Sequence, residues 1–160
     1  IADEHKLRGM LFWLMGDLGQ SAQWWPAFVA LAVALLLAMP FARELNLLSR
    51  GLMQAQALGV AVGRLRYAIY LLASLATAAS VTTAGSIGFV GLIVPHLVRL
   101  ATGNDQRLLL PASVLAGGSL LVLADTLART LIAPQQLPVG VLTALIGVPV
   151  FLLLLSRQPK

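Results

Sequence analysis

The chain has no cysteine, which excludes disulfides and thiolate metal sites. It is also short of charge. Charged residues make up 11% of its 160 positions, and only six are acidic, whereas a soluble domain is about 25% charged and about 45–50% apolar. With 59% hydrophobic residues and a mean hydropathy of +0.89, there is too little polar surface to coat a water-soluble globule. Catalytic and nucleotide signatures are missing too. No G-x-x-x-x-G-K-[ST] phosphate loop, H-E-x-x-H or G-x-S-x-G occurs. Nothing sets a nucleophile beside a base, so an enzyme reading has little support. A signal-peptide layout is also lacking, and a chain opening on Ile1 reads as a fragment or one part of a longer protein.

What is present is long uncharged stretches. Leu18–Ala42 carries no charge over 25 residues. Tyr67–Leu100 holds only His96 and Arg99 as ionisable groups, and Leu108–Ser156 is broken only by Asp125 and Arg129. A spanning helix needs roughly 20 mostly apolar residues, so the expectation is an all-α integral membrane protein. The net charge of +5 does not point to nucleic acid. Its basic residues sit in short segments between apolar runs, as in cytoplasmic loops.

Residues 1–23 mix Asp3, Glu4, Lys6, Arg8 and Asp17 with Leu11, Phe12, Trp13, Leu14 and Met15. They read as a periplasmic amphipathic helix ending at Gly16–Gly19, with Trp13, Trp24 and Trp25 at headgroup level. Residues 24–160 form the transmembrane region. Trp24–Phe41 is the first crossing. Ala42–Arg66 holds Arg43, Arg50, Arg64 and Arg66 against the single acid Glu44 and is placed in the cytoplasm by the positive-inside rule. Within it, Gly51 and Gly59 divide Leu45–Val60 into two short helices, so residues 43–66 read as a helical element rather than a loop. Such an element could offer apolar knobs to a partner's groove or could simply lie on the surface.

Tyr67–Ala84 crosses outward. The 34 residues of Tyr67–Leu100 then form either two short crossings, reversing near Gly85–Gly88, or one long helix with a re-entrant tail. Two crossings put Arg99 and Arg107 on the same side as the other arginines and are preferred. Leu108–Leu131 crosses outward, Ala133–Gly140 turns at Pro134 and Pro138, and Val139–Leu155 returns, leaving Arg157 and Lys160 inside. About five transmembrane helices result, amino end out and carboxyl end in.

Few residues invite chemistry. Asp125 and Arg129 are four apart, hence on one helix face. Each alone in lipid costs about 2.5–3.5 kcal/mol at mid-membrane, so the pair reads first as mutual neutralisation and second as a gating contact. His96 and Arg99 read as an interfacial pair. Metal ligation would need a further ligand at suitable spacing, and His5 lies on the opposite side. Ser74, Thr77, Ser80, Thr82 and Thr83 read as helix-packing residues ahead of a polar path, and Met10, Met15, Met39 and Met53 as packing residues.

The ordered run "AGSIGFVGLIVPHLVRLATGNDQRLLLPASVLAGGSLLVLADTLAR" followed by "LPVGVLTALIGVPVFLLLL" resembles the carboxyl-terminal half of FecCD-type permease subunits of bacterial ABC importers for iron chelates, haem and cobalamin. The likeness is strong over Gly85–Leu155 and looser over Trp13–Gly19 and Leu45–Val60. It implies half of a ten-helix permease in the bacterial inner membrane. That permease pairs with a second permease subunit, receives an iron(III)-siderophore, haem or cobalamin from a periplasmic binding protein, and is driven by a cytoplasmic ATPase dimer. It needs no cofactor of its own. In that family the short helices between the sixth and seventh spans dock on the ATPase, and the matching positions here are Gly51, Ala55, Leu58 and Gly59. Where the family often has acidic residues, this chain has Leu52, Met53 and Gln54. Its usual arginine is Gln56, and the histidine of its G-x-D-H-R run is Gln106.

Gly85, Gly88, Gly91 and Pro95 would then belong to helices lining the translocation region. Gly88→Leu or Gly91→Leu is expected to abolish uptake by overpacking. The rival function is half of an ion-coupled secondary transporter or channel, which would have no use for an ATPase-docking element.

Overall fold

The computed structural model describes residues 4–19, 24–131 and 137–156. The helices are α1 (Glu4–Leu14), α2 (Trp25–Ala38), α3 (Ala42–Leu48), α4 (Leu52–Ala57), α5 (Val62–Ala84), α6 (Val90–Thr102), α7 (Gln106–Thr130) and α8 (Val139–Ser156), with a 3₁₀ turn at Met39–Phe41. Among the described residues there is no strand. Part of the expected outer turn with Pro134, and the terminal Arg157 and Lys160, lie outside the described residues.

Four stretches are long and apolar enough to cross a bilayer: Trp25–Leu48, Val62–Ala84, Gln106–Thr130 and Val139–Ser156. Pro26 opens α2 in its first turn, where the missing N–H costs nothing. Pro40 sits in the 3₁₀ turn, so α3 continues the first span instead of beginning a separate surface helix. Helix α5 starts at Val62, five residues before the expected Tyr67, and takes Arg64 and Arg66 into its first turns. Hydropathy marks where lipid begins, and a helix can run past that boundary into water.

The remaining expected crossing, third in chain order, is the short α6. Its 13 residues rise about 20 Å, less than the roughly 30 Å hydrocarbon core. Residues 85–89 between α5 and α6 are not helical, and they turn through Gly85 at φ 71° and Phe89 at φ 66°. Hydrogen bonds show that the route nonetheless passes from one side to the other. At one end, Asp17 N–H donates to the Ala84 carbonyl at 3.0 Å and the Ser86 hydroxyl to the Leu14 carbonyl at 2.5 Å. At the other end, Asn46 on α3 bonds Asp105, just past α6. The chain therefore reverses at Gly85–Phe89, and α6 runs back toward the end of the molecule that holds α3, although at 13 residues it falls outside the four stretches long enough to span.

Helix α5 packs chiefly on α2, and α6 on α7, while α8 closes against both α6 and α7 and α3 leans on α7. The buried cluster is small: Ala124, Ala128, Val139 and Leu142, flanked by Leu18, Ile87, Leu121 and Leu137. It lies at the outer junction. Large apolar side chains such as Leu36, Leu71, Leu145 and Leu153 remain exposed, an arrangement suited to lipid or to neighbouring helices and not to water.

Candidate coupling element and outer glycine junction

The first candidate site is the turn from α3 into α4. Gly51 adopts φ 127°, ψ 146°, a region essentially restricted to glycine. Its carbonyl accepts the Ala55 N–H at 3.0 Å. Helix α4 ends in a Schellman motif: Val60 N–H donates to the Ala55 carbonyl and Gly59 N–H to the Gln56 carbonyl, both at 3.0 Å, with Gly59 at φ 82°. The two glycines thus set the start and end of a short helix. Of its four expected residues, Ala55 is fully buried and anchors α4 to the body, while Leu58 is 65% exposed. Met53, 84% exposed, and Leu52 project beside it. The element presents an apolar knob on a surface carrying Arg43, Arg50, Arg64 and Arg66.

The second is the junction on the opposite side. Gly85, at φ 71°, lies so close to the Trp13 carbonyl that a Cβ there would fall 1.9 Å from its oxygen. A Cβ added at Gly140 would likewise strike the Met15 carbonyl, and one added at Gly147 would strike the Phe89 side chain. Gly16 takes φ 82° at the turn after α1. These glycines let the loop after α1, the 85–89 segment and α8 interlock. Phe89 itself adopts a left-handed φ of 66°, unusual for a bulky residue.

Overpacking does not extend to Gly88 and Gly91, where an added Cβ would meet nothing within 4 Å. Glycine spacing cannot distinguish the crowded positions from the open ones, because the crowding atoms come from Trp13, Met15 and Phe89, on elements far away in the chain. Gly88 instead borders an open hollow of 610 Å³ with Ser86, Gly140, Val141 and Leu145. Pro95 lies inside α6.

At the outer end of α7, Arg129 Nε donates to Asp125 Oδ2 at 2.8 Å. The pair is 41% and 24% exposed. A Cβ at Gly19 would lie 3.3 Å from the Arg129 guanidinium and 3.1 Å from Asp17 Oδ1, so a second carboxylate stands beside the pair. On α5, the Ser80, Thr82 and Thr83 hydroxyls donate to carbonyls four residues back on their own helix at 2.7–2.8 Å, which satisfies them locally. His96 is half-buried and Arg99 exposed on α6.

Sequence reasoning passed over Asn46. Its carboxamide oxygen accepts the Gln106 N–H at 2.8 Å, and its Nδ2 donates to Asp105 Oδ1 at 2.8 Å. Asp105 also caps α7, accepting the Arg107 N–H at 3.0 Å. The Asn46 amide first, and then the Arg107 N–H, hold the Asp105 carboxyl below its ordinary range. The one signal in the sequence is a lone amide between leucines in "LNLL".

Comparison with known proteins matches this arrangement closely. A model of the FecCD transport family covers residues 1–157. The hemin transport system permease protein HmuU of Yersinia pestis is 48% identical over 161 residues, covering 99% of this chain and 48% of the permease. The Fe(3+) dicitrate transport system permease protein FecD of Escherichia coli is 46% identical, over 92% of this chain and 47% of its own length. The cobalamin import system permease protein BtuC of Halobacterium salinarum is 48% identical, over 96% of this chain and 42% of its own length. A solved metal-chelate type ABC transporter in an inward-facing conformation superposes with a TM-score of 0.86 at 38% identity, covering 99% of this chain and 52% of that one. The chain spans about half the length of the relatives it matches.

Proposed function

The chain belongs to the FecCD transport family, and from that membership we propose that it is half of the translocation subunit of an ATP-driven importer in the bacterial inner membrane. The cargo class is a metal chelate: a ferric siderophore or ferric citrate, haem, or cobalamin. Hemin, cobalamin and Fe(3+) dicitrate are the cargoes named for its relatives, and a ferric siderophore is a metal chelate of the same class. A second permease subunit would complete the pathway, a periplasmic binding protein would deliver cargo, and ATP hydrolysis would take place on a separate cytoplasmic dimer.

The observation that carries this reading is the α3–α4 element. Gly51 and Gly59 shape it, Ala55 seats it, and Leu58 and Met53 are left facing out. Exposed apolar side chains on an arginine-rich face are out of place in cytoplasm unless a partner covers them. An ATPase groove would do so, and its nucleotide-driven movement would push α4. On the other side the interlocked junction around Gly85 and Gly140 and the hollow beside Gly88 suit alternating access, where packed helices move against one another around breaks. An ion-coupled transporter gives the knob no task.

Leu58→Asp tests this. A charge at the centre of a docking surface is expected to weaken co-purification of the ATPase about tenfold or more, with the permease itself folded. Undiminished ATPase recovery together with undiminished ATP-dependent uptake would defeat the docking assignment.

A further inference from the structure

We propose that Asn46 is the positioning residue that carries movement of the α3–α4 element to the α6–α7 hairpin. The inference rests on the coupling role proposed above for α4 and adds the route by which that movement leaves it.

A carboxamide both donates and accepts, and Asn46 uses both capacities on one target. It accepts from the Gln106 N–H and donates to Asp105, each at 2.8 Å, across 59–60 positions of sequence. The first N–H groups of a helix have no intrahelical partner. Asp105 satisfies that of Arg107 and Asn46 that of Gln106, so the start of α7 is completed by a side chain from α3. Two directional bonds from one short side chain fix orientation as well as distance. Helix α3 is joined to α4 by three residues, 49–51, and so lies next to the knob. Helix α7 has 25 residues, a rod of about 38 Å. Along it lies α6, and at its far end Arg129 stands beside Gly19. A shift of α3 that keeps the clasp tilts this rod, and its outer end then moves against the glycine junction. A shift that breaks the clasp leaves the rod behind and Gln106 without its partner.

The test exchanges the two members. Asn46→Asp alone sets two carboxylates against each other. Adding Asp105→Asn restores a donor facing an acceptor: in the wild type Asp105 Oδ1 takes both the Asn46 and the Arg107 bonds, so the new amide turns to donate its Nδ2 to the carboxylate at 46 while its oxygen accepts from Arg107, and the carboxylate at 46 accepts from Gln106. The full-length permease with its ATPase and binding protein is reconstituted in vesicles, with haemin as the probe cargo. The reading taken is haemin moved per ATP hydrolysed, after subtracting the turnover of ATPase without permease, so that loss of folded complexes does not change it. Asn46→Ala and Asn46→Asp should lower that ratio about tenfold, within the usual range of coupling energies, with ATP turnover nearly unchanged. The exchanged pair should recover most of it.

An unaltered ratio in Asn46→Ala, or a failure of the exchanged pair to recover where a spin-label distance shows the clasp re-formed, overturns the link. Wild-type vesicles whose ATP turnover ignores both permease and binding protein would overturn the coupling role itself, and the link with it.

Discussion

At the scale of single residues, glycines that look alike in sequence separate sharply. Gly85 and Gly140 occupy positions where any side chain would strike a carbonyl of the loop after α1, and Gly85 is also held at φ 71°. Gly88 and Gly91 border open space. Gly85→Ala combines overpacking with left-handed strain and should cost about 3 kcal/mol or more. Gly88→Ala, by contrast, should leave stability within about 0.5 kcal/mol. Thermal unfolding of the detergent-purified permease measures the difference, and equal midpoints for the two would refute the assignment of crowding. Among the described residues Gly88 borders the hollow and no helix crowds it.

Among elements, the start of α7 is the most informative. Asp105 lies in the short turn after α6, and its bonds to Asn46 and the Arg107 N–H favour the charged form. Its folded-state pKa is therefore depressed. Such a group stabilises the folded state above the ordinary carboxylate pKa of about 3.9 and stops doing so as pH falls through its lower folded value. Stability should accordingly fall between about pH 4 and more acid conditions, and Asn46→Ala should shrink that fall. A pH series of unfolding midpoints for the two proteins gives the comparison, and parallel curves would argue against the bond. Boundaries of elements were less legible than their existence. Arg64 and Arg66 read as loop by hydropathy yet sit in α5. Ala42–Leu48 reads as the first part of a surface element yet extends the first span, because backbone hydrogen bonding does not stop where lipid does.

For the molecule as a whole, the contacts sort the chain's turns onto two sides. Asn46, Asp105 and the α4 element share one; Gly16, Ser86, Gly140 and Arg129 share the other. Arginines crowd the first, and the positive-inside rule predicts that side to be cytoplasmic. Because this chain has no cysteine, single cysteines introduced at Met53 and Asn104 should react with an impermeant thiol reagent only in inverted membranes. One at Thr130 should react only in intact spheroplasts. Labelling of positions 53 and 104 from opposite sides would refute the double crossing by α5 and α6.

Composition and local spacing determine much of this protein on their own. The apolar runs call for a bilayer, glycine and proline mark where helices stop, the i, i+4 spacing joins Asp125 to Arg129, and arginine distribution predicts an orientation. All of these depend on neighbours within a turn or two, or on the free energy of moving a side chain from water to lipid. The remaining features depend on residues far apart in the chain meeting in space: the Asn46 clasp across 59–60 positions, the Trp13 carbonyl against Gly85, and Phe89 against Gly147. No periodicity encodes those meetings, because each is set by how several helices pack together and not by the segment that contributes either partner.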